Sequence, residues 1–287
     1  MKLIKEIEKH INSYYDYNSF FKAYSFTNEN ISSYLPYFNL KNKSLLTVGS
    51  SCDQVFNASY EGCEDITVCD ICPLTESFYH LKLATLLSLN REDFLKFLCE
   101  TYLGIEHNPY LLNKEIYNKI KNNLKSIDYD SYYIWDYLLN SYDKYDLERL
   151  FKHDMNVKED IIYCNNYLKS NKNYKRLKSL IMNTNVNFIN GSVVNEKYNR
   201  TFDNIWLSNV VHYLSKTETN ILFQNNEKAL SDNGTMLLCY IWKNYTNSRD
   251  KTLEELNKYN TDRIIILGTN VHEDNSIVLY KKHKIDK

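Results

Sequence analysis

The chain has 287 residues, of which 43% are hydrophobic and 14% are aromatic. This length and composition suffice for one large packed domain or two small ones, and they exclude a disordered chain. Thirty-five Lys and Arg residues stand against 36 Asp and Glu residues, for a formal net charge of -1. The composition therefore lacks the overall basic charge of a sequence-independent nucleic-acid binder.

The amino-terminal segment has the spacing of an amphipathic helix, with Leu3, Ile4, Ile7 and Ile11 set among charged residues. It lacks the continuous apolar core of a signal peptide, and no stretch approaches the roughly 18 apolar residues that a membrane span needs. The sequence therefore predicts a soluble, cytoplasmic protein and leaves peripheral membrane contact open. Its seven cysteines, an odd number scattered along the chain, predict reduced thiols and not a disulfide framework.

Residues 1–40 show helical patterns without a strand-like run, and we predict that they form an N-terminal helical cap. Strand-like and helical segments then alternate over residues 41–90. A short apolar run at 45–48 precedes the polar turn "GSSCD" and a brief helix that Gly62 closes. The β-branched "DITVCD" predicts a second strand, and Pro73 opens a second helix. This order predicts the first half of an α/β domain.

Residues 91–185 interrupt the alternation, because they are rich in Leu, Tyr, Lys and Asn without a convincing β run. We predict a helical insertion there, which serves as a lid or as part of an acceptor site. The β pattern returns over residues 186–287 in "VNFING", "FDNIWLSN" and "GTMLLCYIW", and "DRIIILGT" and "NSIVLYKK" predict a terminal antiparallel pair. The whole pattern predicts an open, doubly wound, mostly parallel sheet flanked by helices.

Ligands of such sheets bind beyond the carboxyl ends of the strands, near the point where the strand order reverses. At the first strand this place holds Gly49, Ser50 and Ser51, whose small side chains permit a sharp turn and a close approach to a ligand. The second strand ends at Asp70, 21 residues after Gly49. A carboxylate about twenty residues beyond such a turn is placed to accept both hydroxyls of an adenosine ribose.

The same strand end carries a Cys-x-x-Cys pair, Cys69 and Cys72. A structural metal site would need a second ligand pair, and Cys52 and Cys63 give no recognised pattern. The motif is also compatible with a redox pair, or with two buried thiols that only fill the strand end. We favour Asp70 as the functional residue of this stretch and expect no metal site.

The segment "NFINGSV" predicts another strand, followed by Asn190, Gly191 and Ser192. Amide and hydroxyl groups at this place are suited to bond the edge of an adenine ring, while Gly191 permits close approach. The alternative is an ordinary Asn-Gly turn without a ligand.

The segment "FDNIWLSNVVHYL" predicts a strand that ends in Ser208 and Asn209, with His212 shortly after. At a strand end these groups would face the reacting atoms, and His212 would serve as a general base near neutral pH. The alternative is a Ser-Asn pair that caps the following turn and a surface histidine with a structural role.

These four segments, in this order, resemble the class I S-adenosylmethionine-dependent methyltransferases. More narrowly, "LLTVGSSCDQ", "VCDICPLTESFYHLKLATLLSLNREDFLKF" and "WLSNVVHYL" resemble the 3-amino-3-carboxypropyl transferases of betaine-lipid synthesis. The match covers residues 45–98 well and 205–214 briefly. It implies a Rossmann-like fold of the class I methyltransferase type, with the cofactor-binding domain formed by residues 41–90 and 186–287.

The resemblance implies S-adenosylmethionine as the cofactor and transfer of an aminocarboxypropyl group to a small-molecule or lipid acceptor. Methyl transfer to a small molecule and non-catalytic cofactor binding are the alternatives. Tyr24 and Phe26 are candidates for contact with the sulfonium, against a simple packing role. The implied cofactor-binding residues fall into three groups: Gly49, Ser50, Ser51 and Asp53 at the methionine end, Asp70 and Ile71 at the ribose and adenine, and Asn190, Gly191 and Ser192 at the adenine edge. Ser208 and Asn209 are also implied to bind the cofactor. Together with His212 they border the acceptor and form the catalytic group.

Overall fold

The computed structural model of the chain describes residues 2–13, 21–99, 108–152, 158–240, 261–267 and 276–282. The strands are β1 (Ala23–Tyr24), β2 (Ser44–Thr47), β3 (Asp65–Asp70), β4 (Phe151–Lys152), β5 (Asn185–Asn190), β6 (Phe202–Trp206), β7 (Leu230–Tyr240), β8 (Thr261–Leu267) and β9 (Ser276–Lys282). The α-helices are α1 (Lys2–Asn12), α2 (Ile31–Tyr34), α3 (Asp53–Tyr60), α4 (Thr75–Ser88), α5 (Arg91–Leu98), α6 (Lys114–Ile127), α7 (Tyr129–Ser141), α8 (Lys144–Glu148), α9 (Lys158–Cys164), α10 (Asn171–Ile181) and α11 (Lys216–Ala229).

The chain divides into two compact units, each assembled from several stretches. The first unit comprises Met1–Asn28, Gly49–Asp53 and Ile71–Ser179, and the second comprises Glu29–Val48, Gln54–Asp70 and Leu180–Lys287. The boundaries expected from the sequence, at residues 40, 90 and 185, stay predictions.

The first unit is built mainly of helices. Their starts follow from local sequence, because Asn90, Asn113 and Asp128 accept hydrogen bonds from the first-turn amides of α5, α6 and α7. The expectation that residues 1–40 and 91–185 contain no strand is wrong in one detail, since β1 and β4 pair in parallel over two residues each. A strand of two residues is too short to show an alternating pattern in the sequence, and its partner strand lies more than a hundred residues away.

The second unit contains a seven-stranded sheet in the order β5-β3-β2-β6-β7-β9-β8. Neighbouring strands from β5 to β7 run parallel, while β9 is antiparallel to both β7 and β8. The predicted mixed α/β fold, the mostly parallel sheet and the antiparallel terminal pair are thereby confirmed. The strand order reverses at β2, and in doubly wound sheets this reversal marks the edge where ligands bind.

The core of the second unit packs against the inner strands of its sheet. Inner strands of a parallel sheet are covered on both faces, and Leu46, Ile205 and Met236 are fully buried. The indole ring of Trp206 at the end of β6 is also buried, with the rings of Tyr34 and Phe38 at centroid distances of 5.4 and 5.7 Å. Apolar packing therefore holds the end of β6 in place in addition to any polar contacts.

Helix α3 ends through its glycine, as the sequence predicts. Gly62 has φ 90°, and its amide donates to the Ser59 carbonyl at 3.0 Å while the Cys63 amide donates to the Ala58 carbonyl at 3.0 Å. A left-handed residue after the last turn satisfies carbonyls that the helix leaves open. A side-chain Cβ at Gly62 would lie 3.4 Å from Lys41 Cγ, which is an ordinary contact.

We therefore expect Gly62→Ala to lower the free energy of unfolding by about 1 kcal/mol through backbone strain alone. Gly62→Asn should lose less, because asparagine tolerates left-handed backbone. Urea unfolding of the three proteins measures both differences. Equal stability of the alanine and asparagine variants would contradict this explanation of the helix end.

Candidate functional site

Two predicted site residues meet at the carboxyl edge of the sheet in the second unit. Asp70 and Asn190 are register partners at the ends of the adjacent strands β3 and β5. The Gly191 amide donates to the Asp70 carbonyl at 2.9 Å, and Asn190 Nδ2 lies 3.4 Å from the same oxygen. Asp70 is half-buried and Asn190 is exposed. The structure therefore brings the predicted ribose and adenine residues side by side.

The residues after β5 also form a local turn. The Ser192 carbonyl accepts the amides of Asn195 and Glu196, each at 2.9 Å, and its hydroxyl accepts the Val194 amide at 3.3 Å. A Cβ added at Gly191 would lie 3.1 Å from Glu196 Oε2, closer than ordinary packing. The turn alternative and the ligand alternative thus share the same residues.

Strained backbone follows the end of β6. Ser208 has φ 53°, an uncommon conformation for a residue other than glycine, and only 4% of its surface is exposed. Its hydroxyl donates to Glu29 Oε1, and its carbonyl accepts the Cys239 amide at 2.7 Å. Such outliers persist where the surroundings determine them, and they cluster at functional sites.

Glu29 is a buried carboxylate that sequence reasoning missed. Its Oε2 accepts the Tyr34 hydroxyl at 2.6 Å and the Cys239 thiol at 3.4 Å, and its side chain is 3% exposed. Burial raises the pKa of Glu29 despite hydrogen bonds from Ser208, Tyr34 and Cys239. Nothing local distinguishes this residue, because one glutamate in the polar segment "FTNENIS" reads as a surface charge.

His212 lies in the short 3-10 helix Val210–Tyr213 and is half-buried. Burial lowers its pKa from 6.5 to about 4, so the imidazole is neutral at neutral pH. A neutral ring is able to accept a proton, although a pKa this low makes it a weak base. Its catalytic role stays a proposal.

The glycine-serine turn belongs to the first unit and is also strained. Ser50 has φ 44° and Cys52 has φ 62°, so two residues other than glycine adopt left-handed backbone within Gly49–Asp53. Ser51 and Cys52 are fully buried, and the Cys52 amide donates to the Gly49 carbonyl. The sharp turn predicted from small residues is present, but its left-handed positions fall on serine and cysteine.

Asp53, predicted to hold the methionine end of the cofactor, is fully buried. Its Oδ1 accepts Lys82 Nζ at 2.8 Å and the Tyr167 hydroxyl at 2.7 Å. Its Oδ2 accepts the Thr27 amide at 2.7 Å and the Ser51 hydroxyl at 3.0 Å. The carboxylate is therefore surrounded by donors that belong to the chain itself.

Lys82 is the partner that sequence reasoning missed, because the segment "LKLATLL" reads as a helix with one solvated charge. Its side chain is 0% exposed, and Nζ donates to the carbonyls of Ser25 and Ser51 at 2.9 and 3.0 Å. Burial lowers the pKa of Lys82, and the Asp53 carboxylate opposes that shift. The ring of Phe26, a predicted sulfonium contact, is fully buried with its centroid 4.3 Å from Nζ.

The cysteines of the Cys-x-x-Cys pair each contact a backbone carbonyl from a distant part of the sequence. Cys69 Sγ lies 3.5 Å from the Gly191 carbonyl, and burial raises its pKa to about 11. Cys72 Sγ lies 3.3 Å from the Phe21 carbonyl. All seven cysteines are buried and free of disulfide bonds. Within the described ranges, no group of three His, Cys, Asp or Glu residues is arranged to hold a metal ion.

The first unit also contains a cavity of about 350 Å³. Its walls include Leu3, Pro73 and Ile134, and three carboxylates, those of Glu76, Asp128 and Asp130, line it as well. Glu76 and Asp130 lie in the first turns of α4 and α7, and Asp128 caps α7. Since acidic groups stabilise helix amino termini, these carboxylates have a structural explanation.

The chain matches no protein-family model and no curated protein sequence. Among solved structures it is similar to the N-methyltransferase NodS from Bradyrhizobium japonicum WM9 in complex with S-adenosyl-L-homocysteine, at 10% identity over 98% of each chain with a TM-score of 0.40. It is similar to the glycopeptide N-methyltransferase MtfA at 9% identity, over 91% of this chain and 92% of that chain, with a TM-score of 0.47.

A third similar structure is a TehB-like SAM-dependent methyltransferase from Corynebacterium glutamicum ATCC 13032, at 8% identity over 98% of this chain and 96% of that chain, with a TM-score of 0.40. Likenesses at this level of identity and superposition carry no information about reaction or substrate. The narrower resemblance to aminocarboxypropyl transferases stays a prediction from the sequence. In the part of the chain that the structure describes, no helix is both long and apolar enough to cross a membrane.

The lowered pKa of His212 predicts a pH dependence of stability. The imidazole binds its proton near pH 6.5 in the unfolded chain and near pH 4 in the folded chain. The contribution of neutral His212 to stability is therefore fully present above pH 6.5 and is lost as the pH drops toward 4. When the pH is lowered from 7 to 5, the free energy of unfolding should fall in the wild type because of His212. In His212→Gln we expect this fall to be about 1–2 kcal/mol smaller. Urea unfolding at both pH values measures this, with the difference at pH 7 as the packing control. Parallel losses in both proteins would place the pKa of His212 near its ordinary value.

Proposed function

We propose that this chain is an S-adenosylmethionine-dependent transferase whose adenosine moiety binds at the carboxyl edge of the seven-stranded sheet. The observation that carries the proposal is the pair Asp70 and Asn190 at the ends of β3 and β5, where β3 is the neighbour of β2, the strand at which the order reverses. Ligands of doubly wound sheets bind at this place. An acid at the end of the second sheet strand, about twenty residues after a glycine turn, accepts the hydroxyls of a ribose.

The predicted residues would each act on one part of the cofactor or on the acceptor. Asp70 accepts the ribose hydroxyls, and Ile71, which is 44% exposed, lies against the adenine. Ser208 and Asn209 border the reacting carbon, and His212 in its neutral form accepts the proton of the acceptor. The residues proposed for the adenine edge are Asn190, Gly191 and Ser192, and those proposed for the methionine end are Gly49, Ser50 and Ser51.

The sulfonium activates all three attached carbons toward in-line displacement, and the protein selects one by the position it gives the nucleophile. Attack on the methyl carbon forms a methylated acceptor and leaves S-adenosylhomocysteine. Attack on the γ-carbon transfers the aminocarboxypropyl group and leaves methylthioadenosine. In both reactions the acceptor loses a proton to a base, and the electron pair of the broken bond stays on sulfur.

We propose methyl transfer to a small molecule as the reaction, because it is the common use of a sheet with this strand order. Aminocarboxypropyl transfer to a small-molecule or lipid acceptor is the second candidate, supported by the sequence resemblance over residues 45–98. A cofactor-binding protein without catalysis is the third, since one fold serves many functions.

The test of function is to incubate the purified protein with S-adenosylmethionine and a cell extract and to identify the nucleoside product by liquid chromatography and mass spectrometry. S-adenosylhomocysteine above the level of an enzyme-free control is expected for methyl transfer. Methylthioadenosine would replace that proposal with aminocarboxypropyl transfer. Absence of both products, with cofactor binding intact, would favour the non-catalytic alternative.

The placement of the ribose has a test that needs no acceptor. We expect Asp70→Ala to weaken S-adenosylmethionine binding by about 10- to 100-fold, because two hydrogen bonds to a charged acceptor are lost. Isothermal titration calorimetry measures this affinity directly.

The matched control is Asp65→Ala, at the opposite end of the same strand. Asp65 forms an exposed ion pair with Arg200, and its loss should change cofactor affinity by less than about twofold. If Asp70→Ala also stays within that range, the ribose does not bind at this strand end.

A further inference from the structure

We propose that Lys82 is a positioning residue that holds the turn Gly49–Asp53 in the conformation that binds the amino-acid part of S-adenosylmethionine. The inference rests on the proposed function and adds to it two residues outside the predicted site, Lys82 and Tyr167. It also changes the role of Asp53, whose carboxylate acts on the turn and does not contact the cofactor.

The turn needs an external constraint. Ser50 and Cys52 both have left-handed backbone, which residues with a Cβ adopt only at an energetic cost. Only one residue, Ser51, separates them. A pair of strained residues this close relaxes unless the surrounding contacts fix the backbone between them.

Lys82 supplies that constraint from helix α4. Its Nζ donates to the Ser51 carbonyl at 3.0 Å, on the residue between the two strained positions, and to the Ser25 carbonyl at 2.9 Å. The third contact is the Asp53 carboxylate at 2.8 Å. An ammonium group has three protons to donate, so these contacts use its full capacity.

Asp53 closes the arrangement around the turn. Its carboxylate accepts the Ser51 hydroxyl, and its amide donates back to that hydroxyl at 3.2 Å. The Tyr167 hydroxyl, from the 3-10 helix Asn166–Leu168, donates to the same carboxylate at 2.7 Å. Since both Lys82 and Asp53 are 0% exposed, solvent does not screen these contacts.

If the role of Lys82 were purely structural, its buried ion pair with Asp53 would stabilise the unit, and its loss would not change the relative affinities for different ligands. The two roles differ in which part of a ligand they affect. S-adenosylhomocysteine and methylthioadenosine are both neutral adenosyl thioethers, but only the first carries the amino-acid part. A loss of turn geometry should therefore weaken S-adenosylhomocysteine selectively.

The experiment compares the affinities of both ligands by calorimetry in the full-length chain. The first variant is Tyr167→Phe, which removes one hydroxyl from the Asp53 carboxylate. The second is Lys82→Met combined with Asp53→Asn, because removing the lysine alone would leave a buried carboxylate without its cation. The control is Tyr174→Phe, another buried tyrosine that packs on Phe94 but donates to the Leu86 and Leu89 carbonyls.

We expect the double variant to bind S-adenosylhomocysteine about tenfold more weakly or worse, and methylthioadenosine within about twofold of the wild type. Tyr167→Phe should show a smaller loss in the same direction, and Tyr174→Phe should show none.

An equal loss for both ligands, or no loss for either, would overturn the positioning role while leaving the proposed function in place. If the double variant does not fold, the ratio of affinities in Tyr167→Phe against Tyr174→Phe decides the question alone. A wild-type chain that binds neither nucleoside would overturn the proposed function together with this inference.

Discussion

The buried ion pair between Lys82 and Asp53 connects four stretches of the first unit that are distant in the sequence. Lys82 donates to the carbonyls of Ser25 and Ser51, while Asp53 accepts from Thr27 and Tyr167. Removing two charges from water is costly, and it is tolerated only where every donor and acceptor has a partner. These contacts include the carbonyl and hydroxyl of Ser51, which lies between the two left-handed residues of the glycine-serine turn.

The second unit also contains a buried carboxylate, that of Glu29, with several hydrogen-bond donors around it. Glu29 accepts hydroxyl hydrogen bonds from Tyr34 and Ser208 and a thiol from Cys239, and Ser208 again has left-handed backbone. In both units, then, a buried carboxylate is bonded to a strained turn that follows a strand. Residues in left-handed backbone persist where surrounding contacts determine them, and here buried polar contacts do so.

Much of the fold was predictable because its elements have local signatures. The apolar run at Leu45–Leu46, the β-branched run at Ile66–Val68 and the glycine at position 62 each predict an element or its end from neighbouring residues alone. The pair β8 and β9 was likewise visible as two strand-like runs. The short strands β1 and β4 were not, because two residues cannot show a period.

The sequence by itself determined the alternation of strands and helices and the polar residues that end the strands, since both follow from local hydrophobic pattern and turn chemistry. It therefore pointed to Asp70 and Asn190 before their register was known. Only the tertiary structure decided that Asp53 and Glu29 are buried and which groups they contact. Lys82 lies 57 residues from Ser25, and Ser208 lies 179 residues from Glu29. Contacts over such separations produce no periodic pattern in the sequence. The neighbouring residues of a buried lysine or glutamate do not distinguish it from one that is exposed to water.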